Sequence, residues 1–411
     1  MLKTKNKRDF WVKNQRIKDS LATEVSEFVS SKVYDRSSTE HPLGPKFPNE
    51  DTPRTEARES LGEHVVLNYN KDLTRAEKQN TNEALSEKIL AEILAYRRLP
   101  KHSEICENSH CEKCSSLHSP KILSSVEKGE PVTFVLPAFP GKSPNPNKIL
   151  GPLPDFAEKL SLKFLAKLCK KIKSFYNPGI KIIICSDGRV FSDVVGMKES
   201  DVTAYQDDLD RLIKEMSLPD ISTFNLDEVY SGKNFDEMRT ELMATFAYTL
   251  ESLQEKVRNG SKDDANTEEL EANRMYCGIT RFLLEDSMTP GQQESKTALQ
   301  KDAKTRAYEV IRRSNAWSKL IERIYPEAVR LSIHPQPCGA KKIGIRLVGK
   351  ESWMTPWHGV AVQTIKGYAL LKRSQAEAMG ADLVYCSQGR PSHYSLLAKK
   401  LSPMGGNIDE L

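Results

Sequence analysis

VTFVLPAFPGKSPNPNKILGPLPDFAEKLSLKFLAKLCKKIKSFYNPGIKIIICSDGRVFSDVVG, residues 132–196, is the stretch that decides the fold. Val132 to Phe139 is a short apolar run that reads as a buried strand, and the prolines and glycines from Pro140 to Gly151 forbid regular structure after it. A helix follows. Asp155 and Glu158 stand at capping-box spacing, and Leu160, Phe164, Leu165, Leu168 and Ile172 line one apolar face. Ile180 to Cys185 is a second strand, β-branched and fenced by Pro178-Gly179 and Asp187-Gly188. Strand, helix and strand of these lengths make a right-handed βαβ unit and therefore a parallel pair.

Outward from this unit, the chain beyond Met197 turns mainly helical up to about Pro326, with a charged break at Lys262 to Glu269. Strands return at Val329 to Ile333, Ile343 to Val348 and Gly359 to Thr364, followed by a helix near Arg373 to Met379 and a strand at Asp382 to Tyr385. Toward the N-terminus, helical spacing of Leu85, Ile89, Ile93, Leu94 and Tyr96 runs until Pro100 stops it. Residues 1–80 are polar and broken by prolines. The fold class is thus α/β: a Rossmann-like, mainly parallel sheet with a large helical insertion, over residues 81–411, preceded by a polar N-terminal arm.

The chain has 411 residues with 38% hydrophobic and 28% charged content, the balance of a globular protein. No apolar run approaches the roughly 18 to 20 residues of a membrane span. The formal charge of +5 is slight and spread along the chain, so no nucleic-acid partner is expected. Eight cysteines in a chain of this length suit a reducing compartment, and the cytoplasm is the expected location. The oligomeric state is not legible.

In open parallel sheets the ligand lies beyond the carboxyl ends of the strands, so the segments after each strand are the candidate site. After the first come Gly141, Lys142 and Ser143; after the second come Asp187, Gly188, Arg189 and Asp193; after Ile333 come His334, Lys341 and Lys342. Gly141-Lys142-Ser143 is not a P-loop, because Leu136 stands where the motif needs glycine and two prolines remove phosphate-cradling amides. Lys142 on this stiff loop is either a fixed ammonium for a phosphate or carboxylate, or a turn lysine. Asp187 and Arg189 can hold a substrate's amine and anion, or pair with each other. Trp357 and His358 line a pocket or simply pack. His334 is an acid/base or a structural histidine. Cys106, Cys111, Cys114 and His118, within a Cys/His module at 102–118, offer three thiolates and an imidazole, a donor set for a structural zinc.

Six strings carry a resemblance: FVLPAFPGKSPN (134–145), LGPLPD (150–155), CSDGRVFSDVVG (185–196), RFLLED (281–286), RLSIHPQP (330–337) and MTPWHGV (354–360). Together they resemble the pyoverdine/dityrosine biosynthesis family of isocyanide synthases, over roughly residues 82–390, and look closest to its fungal spore wall members. The resemblance implies an enzyme that joins the α-amine of tyrosine or tryptophan to ribulose 5-phosphate and fragments the adduct to an isocyanide, or to an N-formyl amino acid for dityrosine. It implies sugar-phosphate binding by cations such as Lys142, Arg189, Arg281, Lys341 and Lys342, and proton transfer by Asp187, Asp193, Asp286 or His334. No catalytic cofactor is required. Two other classes stay open: a different phosphosugar- or formyl-dependent N-modifying enzyme on the same scaffold, and a noncatalytic zinc-dependent interaction protein.

Overall fold

Val132–Pro137, here β1, pairs in parallel with Ile180–Cys185, β2, residue for residue from Val132 opposite Ile180 to Pro137 opposite Cys185. Between them runs α3 (Phe156–Lys173), whose N-terminus carries the expected capping box: Asp155 accepts from the Ala157 amide at 2.8 Å and Glu158 accepts from the Asp155 amide at 2.9 Å. The computed structural model describes residues 75–100, 111–348 and 354–397. Most of the expected polar arm, residues 1–74, lies outside them, whereas Arg75–Leu94 is a helix, α1.

Beyond β2 come α4 (Gly188–Val195), α5 (Glu199–Glu215) and a strand, β3 (Ile221–Phe224). Four helices follow: α6 (Phe235–Phe246), α7 (Leu250–Asn259), α8 (Thr267–Ser287) and α9 (Lys296–Ile324). They form the expected helical insertion, and the charged break falls between α7 and α8. The chain then returns as β4 (Val329–Ser332) and β5 (Ile343–Gly344). The sheet order is β3-β2-β1-β4-β5, parallel throughout.

Side chains of β1 alternate between two cores, as a period of two requires. Phe134 and Leu136 pack with Leu162, Leu165, Ile172, Tyr205 and Leu209 of α3 and α5, and also with Ile122 of α2 (Glu112–Lys128). Val135 points the other way, to Phe224, Met238 and Leu242, with Trp317 and Leu320 of α9. Helices on both faces of a parallel sheet are the arrangement its doubly buried strands demand.

A second sheet, ordered β7-β6-β9-β8, is built from β6 (Val360–Thr364), β7 (Gly367–Leu371), β8 (Asp382–Tyr385) and β9 (Pro391–Ser395), with α10 (Arg373–Ala378) between β7 and β8. Ala361 and Leu370 of this sheet close over Phe156 and Ala157 at the start of α3. Among the described residues no helix is long and apolar enough to cross a membrane.

The loops after β1 and β2 touch at Gly188, where an added Cβ would lie 1.9 Å from the Pro140 carbonyl oxygen and 2.7 Å from Val202. Only glycine permits this approach. Gly188→Ala should therefore force the two loops apart at a cost of about 1–3 kcal/mol, read as a lower melting temperature. An unchanged melting temperature would show that the loops do not meet this closely.

Candidate active site

The strand order reverses its direction of growth at β1, with β2 and β3 to one side of it and β4 and β5 to the other, and ligands of open parallel sheets sit beyond the carboxyl ends of the strands at such a switch point. The β1 loop is held tightly on one side of it. Phe139 adopts a positive φ of 58°, an uncommon state for a residue with a bulky side chain, and Ser186 Oγ donates to its carbonyl at 2.7 Å. The chain then turns through Gly141, φ 127°, and buries Lys142.

Lys142 Nζ donates to Asp155 Oδ2 at 2.9 Å, Glu158 Oε2 at 2.7 Å and the Pro356 carbonyl at 3.1 Å. All three ammonium protons are committed. Burial works against its charge, but the carboxylates of Asp155 and Glu158 outweigh this and hold its pKa above the usual lysine value. Burial, aided by the Asp155 charge, pushes Glu158 upward against the pull of Lys142. Tyr205 donates to Glu158 Oε1 at 3.2 Å, and burial next to this carboxylate pushes its phenol well up. Lys142, expected as a phosphate-binding ammonium, is in this structure the counter-ion of two buried carboxylates.

Asp187 lies just beyond β2, only partly reached by solvent, and burial pushes its carboxyl up to about 7. Its Oδ1 has no hydrogen-bond partner among the described residues. Its charge is felt by Tyr205, which places it beside the Lys142 cluster. On the other side, the surrounding protein pushes His358 down to about 3, with Lys148, His334 and Lys142 adding to the effect. His334, after β4, retains a solvent-exposed surface while burial, Arg98 and Lys342 push it down to about 4. Exposure together with desolvation describes a side chain in the wall of a recess. Asp187, Tyr205, Glu158, Lys142, His358 and His334 thus form one electrostatically linked series along the sheet's carboxyl edge.

Beside His334 positive charge accumulates. Arg330, on β4 and almost wholly buried, donates from Nη2 to Ser318 at 3.1 Å, but its Nε and Nη1 have no partner among the described residues. Burial lowers its pKa. Burial and the Arg330 charge lower that of Lys342, and burial with the Arg346 charge lowers that of Arg98. Glu322 acts against the shift at both Arg330 and Lys342, so burial is the chief cause of the lowered values.

The other expected site residues take supporting places. Arg189 pairs with Asp227 Oδ2 at 2.5 Å and lies over the Phe235 ring, not against Asp187. Asp193 receives both Arg313 terminal nitrogens, at 2.6 and 3.0 Å; burial raises its pKa, but Arg313 and Arg239 outweigh this and lower it. Asp286 accepts from Ser143 at 2.8 Å and Lys148 at 2.5 Å, pinning the β1 loop to the end of α8. Trp357 is buried against Phe139, centroids 5.3 Å apart, and so supports the loop from behind. His358 keeps an exposed part and meets Phe282 edge to face at 4.9 Å. Arg281 and Lys341 are exposed.

The expected metal set is altered. Cys106 lies outside the described residues, and His118 Nε2 is instead within 3.1 Å of the Ala340 carbonyl oxygen. Cys111 and Cys114 converge with Cys338, from the loop after β4.

The profile of the family described as pyoverdine/dityrosine biosynthesis protein matches residues 122–384. An L-tyrosine isonitrile synthase of Pseudomonas aeruginosa is 45% identical over 77% of this chain and 96% of its own length. An L-tryptophan isonitrile synthase of Fischerella ambigua is 44% identical over 76% and 92%. A spore wall maturation protein of Saccharomyces cerevisiae is 30% identical over 56% and 51%, so the likeness to the fungal spore wall branch is the more distant one. The crystal structure of the PvcA protein from Pseudomonas aeruginosa superimposes with a TM-score of 0.70 at 45% identity, covering 76% of this chain and 99% of that one.

Two substitutions test the site. Lys142→Met strands two buried carboxylates and should cost about 3–5 kcal/mol of stability, visible in denaturant unfolding; a stable variant with selectively weakened phosphate binding would restore the first reading. Asp187 has a folded-state pKa near 7 and an ordinary unfolded value, so the wild type loses stability as pH rises from the unfolded value to the folded one. Asp187→Asn removes this penalty. Its melting-temperature gain over wild type should grow from pH 4 to pH 7 and then level off; a pH-independent difference would refute the raised pKa.

Proposed function

The chain belongs to the pyoverdine/dityrosine biosynthesis family, and from that premise we propose that it is an isocyanide synthase that converts the α-amine of tyrosine, with ribulose 5-phosphate supplying the isocyanide carbon. The observation that supports this reading is a carboxyl with a pKa of about 7 at Asp187, just beyond β2, together with cations on and after the neighbouring part of the sheet, buried Arg330 on β4 and half-buried Lys342 before β5. Joining an amine to a ketone needs a group that takes a proton from nitrogen and returns one to the departing oxygen. A carboxyl that titrates near neutrality does both. His334, held neutral by burial and by the charges of Arg98 and Lys342, is a weak base here and serves as a neutral hydrogen-bonding group.

A sugar phosphate supplies the anion the cations lack, and its oxygens match the unpartnered Nε and Nη1 of Arg330. Phe282 and His358 offer the aromatic amino acid a ring-lined wall. Tyrosine is proposed over tryptophan on the likeness to the Pseudomonas enzyme, although the Fischerella enzyme is nearly as similar. A second reading, an N-formyltyrosine product used in a spore wall, is favoured only by the likeness to the yeast protein.

Purified chain incubated with tyrosine and ribulose 5-phosphate labelled at the ketone carbon should yield tyrosine isocyanide carrying the label, by mass spectrometry. A product heavier by one water would favour the formyl reading, and no labelled product from either aromatic amino acid would overturn the proposal. Arg330→Met removes a charged hydrogen-bonding partner worth about 1.5–3 kcal/mol, so the KM for ribulose 5-phosphate should rise roughly 10- to 100-fold. The KM for tyrosine should stay unchanged. Equal effects on both substrates would place the phosphate elsewhere.

A further inference from the structure

Cys111 caps the N-terminus of α2, Cys114 lies in its first turn, and Cys338 comes from the loop between β4 and β5, more than two hundred residues later. The three sulfurs nevertheless lie within 4.8 Å of one another. Cys111 and Cys114 are buried and Cys338 is half-buried. Zinc bound by thiolates at about 2.3 Å holds them about 3.8 Å apart, so small side-chain rotations bring the observed cluster to bonding geometry. We propose that Cys111, Cys114 and Cys338 bind one zinc ion, with a solvent molecule as the fourth ligand, clamping the loop that follows β4 to the N-terminus of α2.

The local backbone is shaped for this. The Cys111 carbonyl accepts from the Cys114 amide at 2.9 Å and the Ser115 amide at 2.8 Å, folding the Cys-x-x-Cys segment so that both sulfurs leave one turn. Opposite, Gly339 takes φ +76°, and a Cβ there would come within 3.2 Å of the Lys113 side chain; glycine lets the turn carrying Cys338 lie directly on α2. His118 meets the same turn at the Ala340 carbonyl. A small cavity walled by Leu94, Cys114, Gln336 and Cys338 leaves room for the sulfurs to adjust. Each bound thiol releases its proton, and the zinc neutralises the resulting charge where burial would otherwise oppose it.

The ion would have a mechanical consequence for the recess, since the clamped loop also carries His334 and Lys342. This inference does not depend on the reaction assigned above.

Elemental analysis of the full chain, purified under reducing conditions, should find one zinc per chain. Cys338→Ser and Cys114→Ser should each abolish it, while His118→Gln should keep it. Stripping the metal with a chelator should lower the melting temperature by roughly 5–10 °C, and added zinc should restore it. Should the cysteine variants fail to fold, cobalt substitution of the wild-type chain still decides: intense sulfur-to-metal charge-transfer absorption with tetrahedral visible bands is expected. Metal-free protein that neither takes up zinc nor changes its melting temperature would overturn the proposal. So would zinc retained in Cys338→Ser, a cobalt spectrum without thiolate character, or a disulfide within the trio in place of metal.

Discussion

A single buried ammonium ties the catalytic edge together. Lys142 joins the loop after β1 to the first turn of α3, through Asp155 and Glu158, and to the turn before β6, through the Pro356 carbonyl. Two neighbouring segments and a third more than two hundred residues away meet at one charge. The same two carboxylates cap α3, so the group that starts the helix is also the group that neutralises the lysine. Such a buried cluster is weak as a source of net stability, because desolvation offsets much of the attraction, but it tolerates few alternative arrangements. Around it the titratable groups divide: Asp187 is lifted toward neutrality, His334 and His358 are held uncharged, and burial lowers the pKa of Arg330 and Lys342.

The fold was legible where its signals are contiguous. β1, α3 and β2 follow one another with unbroken periodicity, and Ile180–Cys185 is found as read. The first strand stops at Pro137 rather than Phe139 because the chain must turn through a positive φ there. β3 escapes detection since Ile221–Phe224 is four residues with two polar ones, and only its neighbour β2 makes it a strand. β9 contains Pro391, Ser392 and His393, which no propensity would assign to a sheet, and its pairing with β6 and β8 is purely tertiary.

For the site, the rule that ligands sit beyond strand ends located Asp187 and His334, but it could not tell Lys142's partners. Asp155 and Glu158 carried a sufficient local explanation as a cap, which concealed their second use. Tyr205 reads as one more apolar position of α5, and Arg330 as a residue inside a strand; neither motif nor spacing marks them, because their significance comes from side chains contributed by other elements. Cys338 is the clearest case. Its neighbours at the start of α2 were visible as a Cys-x-x-Cys pair, yet nothing local connects them to a thiol in the opposite part of the chain.

The strand order also has a consequence for how the protein is made. β1 sits at the centre of the sheet, but Phe134 faces Val329 across it, and that partner leaves the ribosome only after the whole helical insertion. During synthesis the β1–β2 pair, with Ile182, Ile183 and Ile184 at its heart, leaves the β1 edge unpaired for the time needed to add about a third of the chain. Pairings of such long sequence separation are slow to form and prone to intermolecular capture. The edge of β1 is thus the part of the sheet most exposed to wrong pairing until β4 arrives.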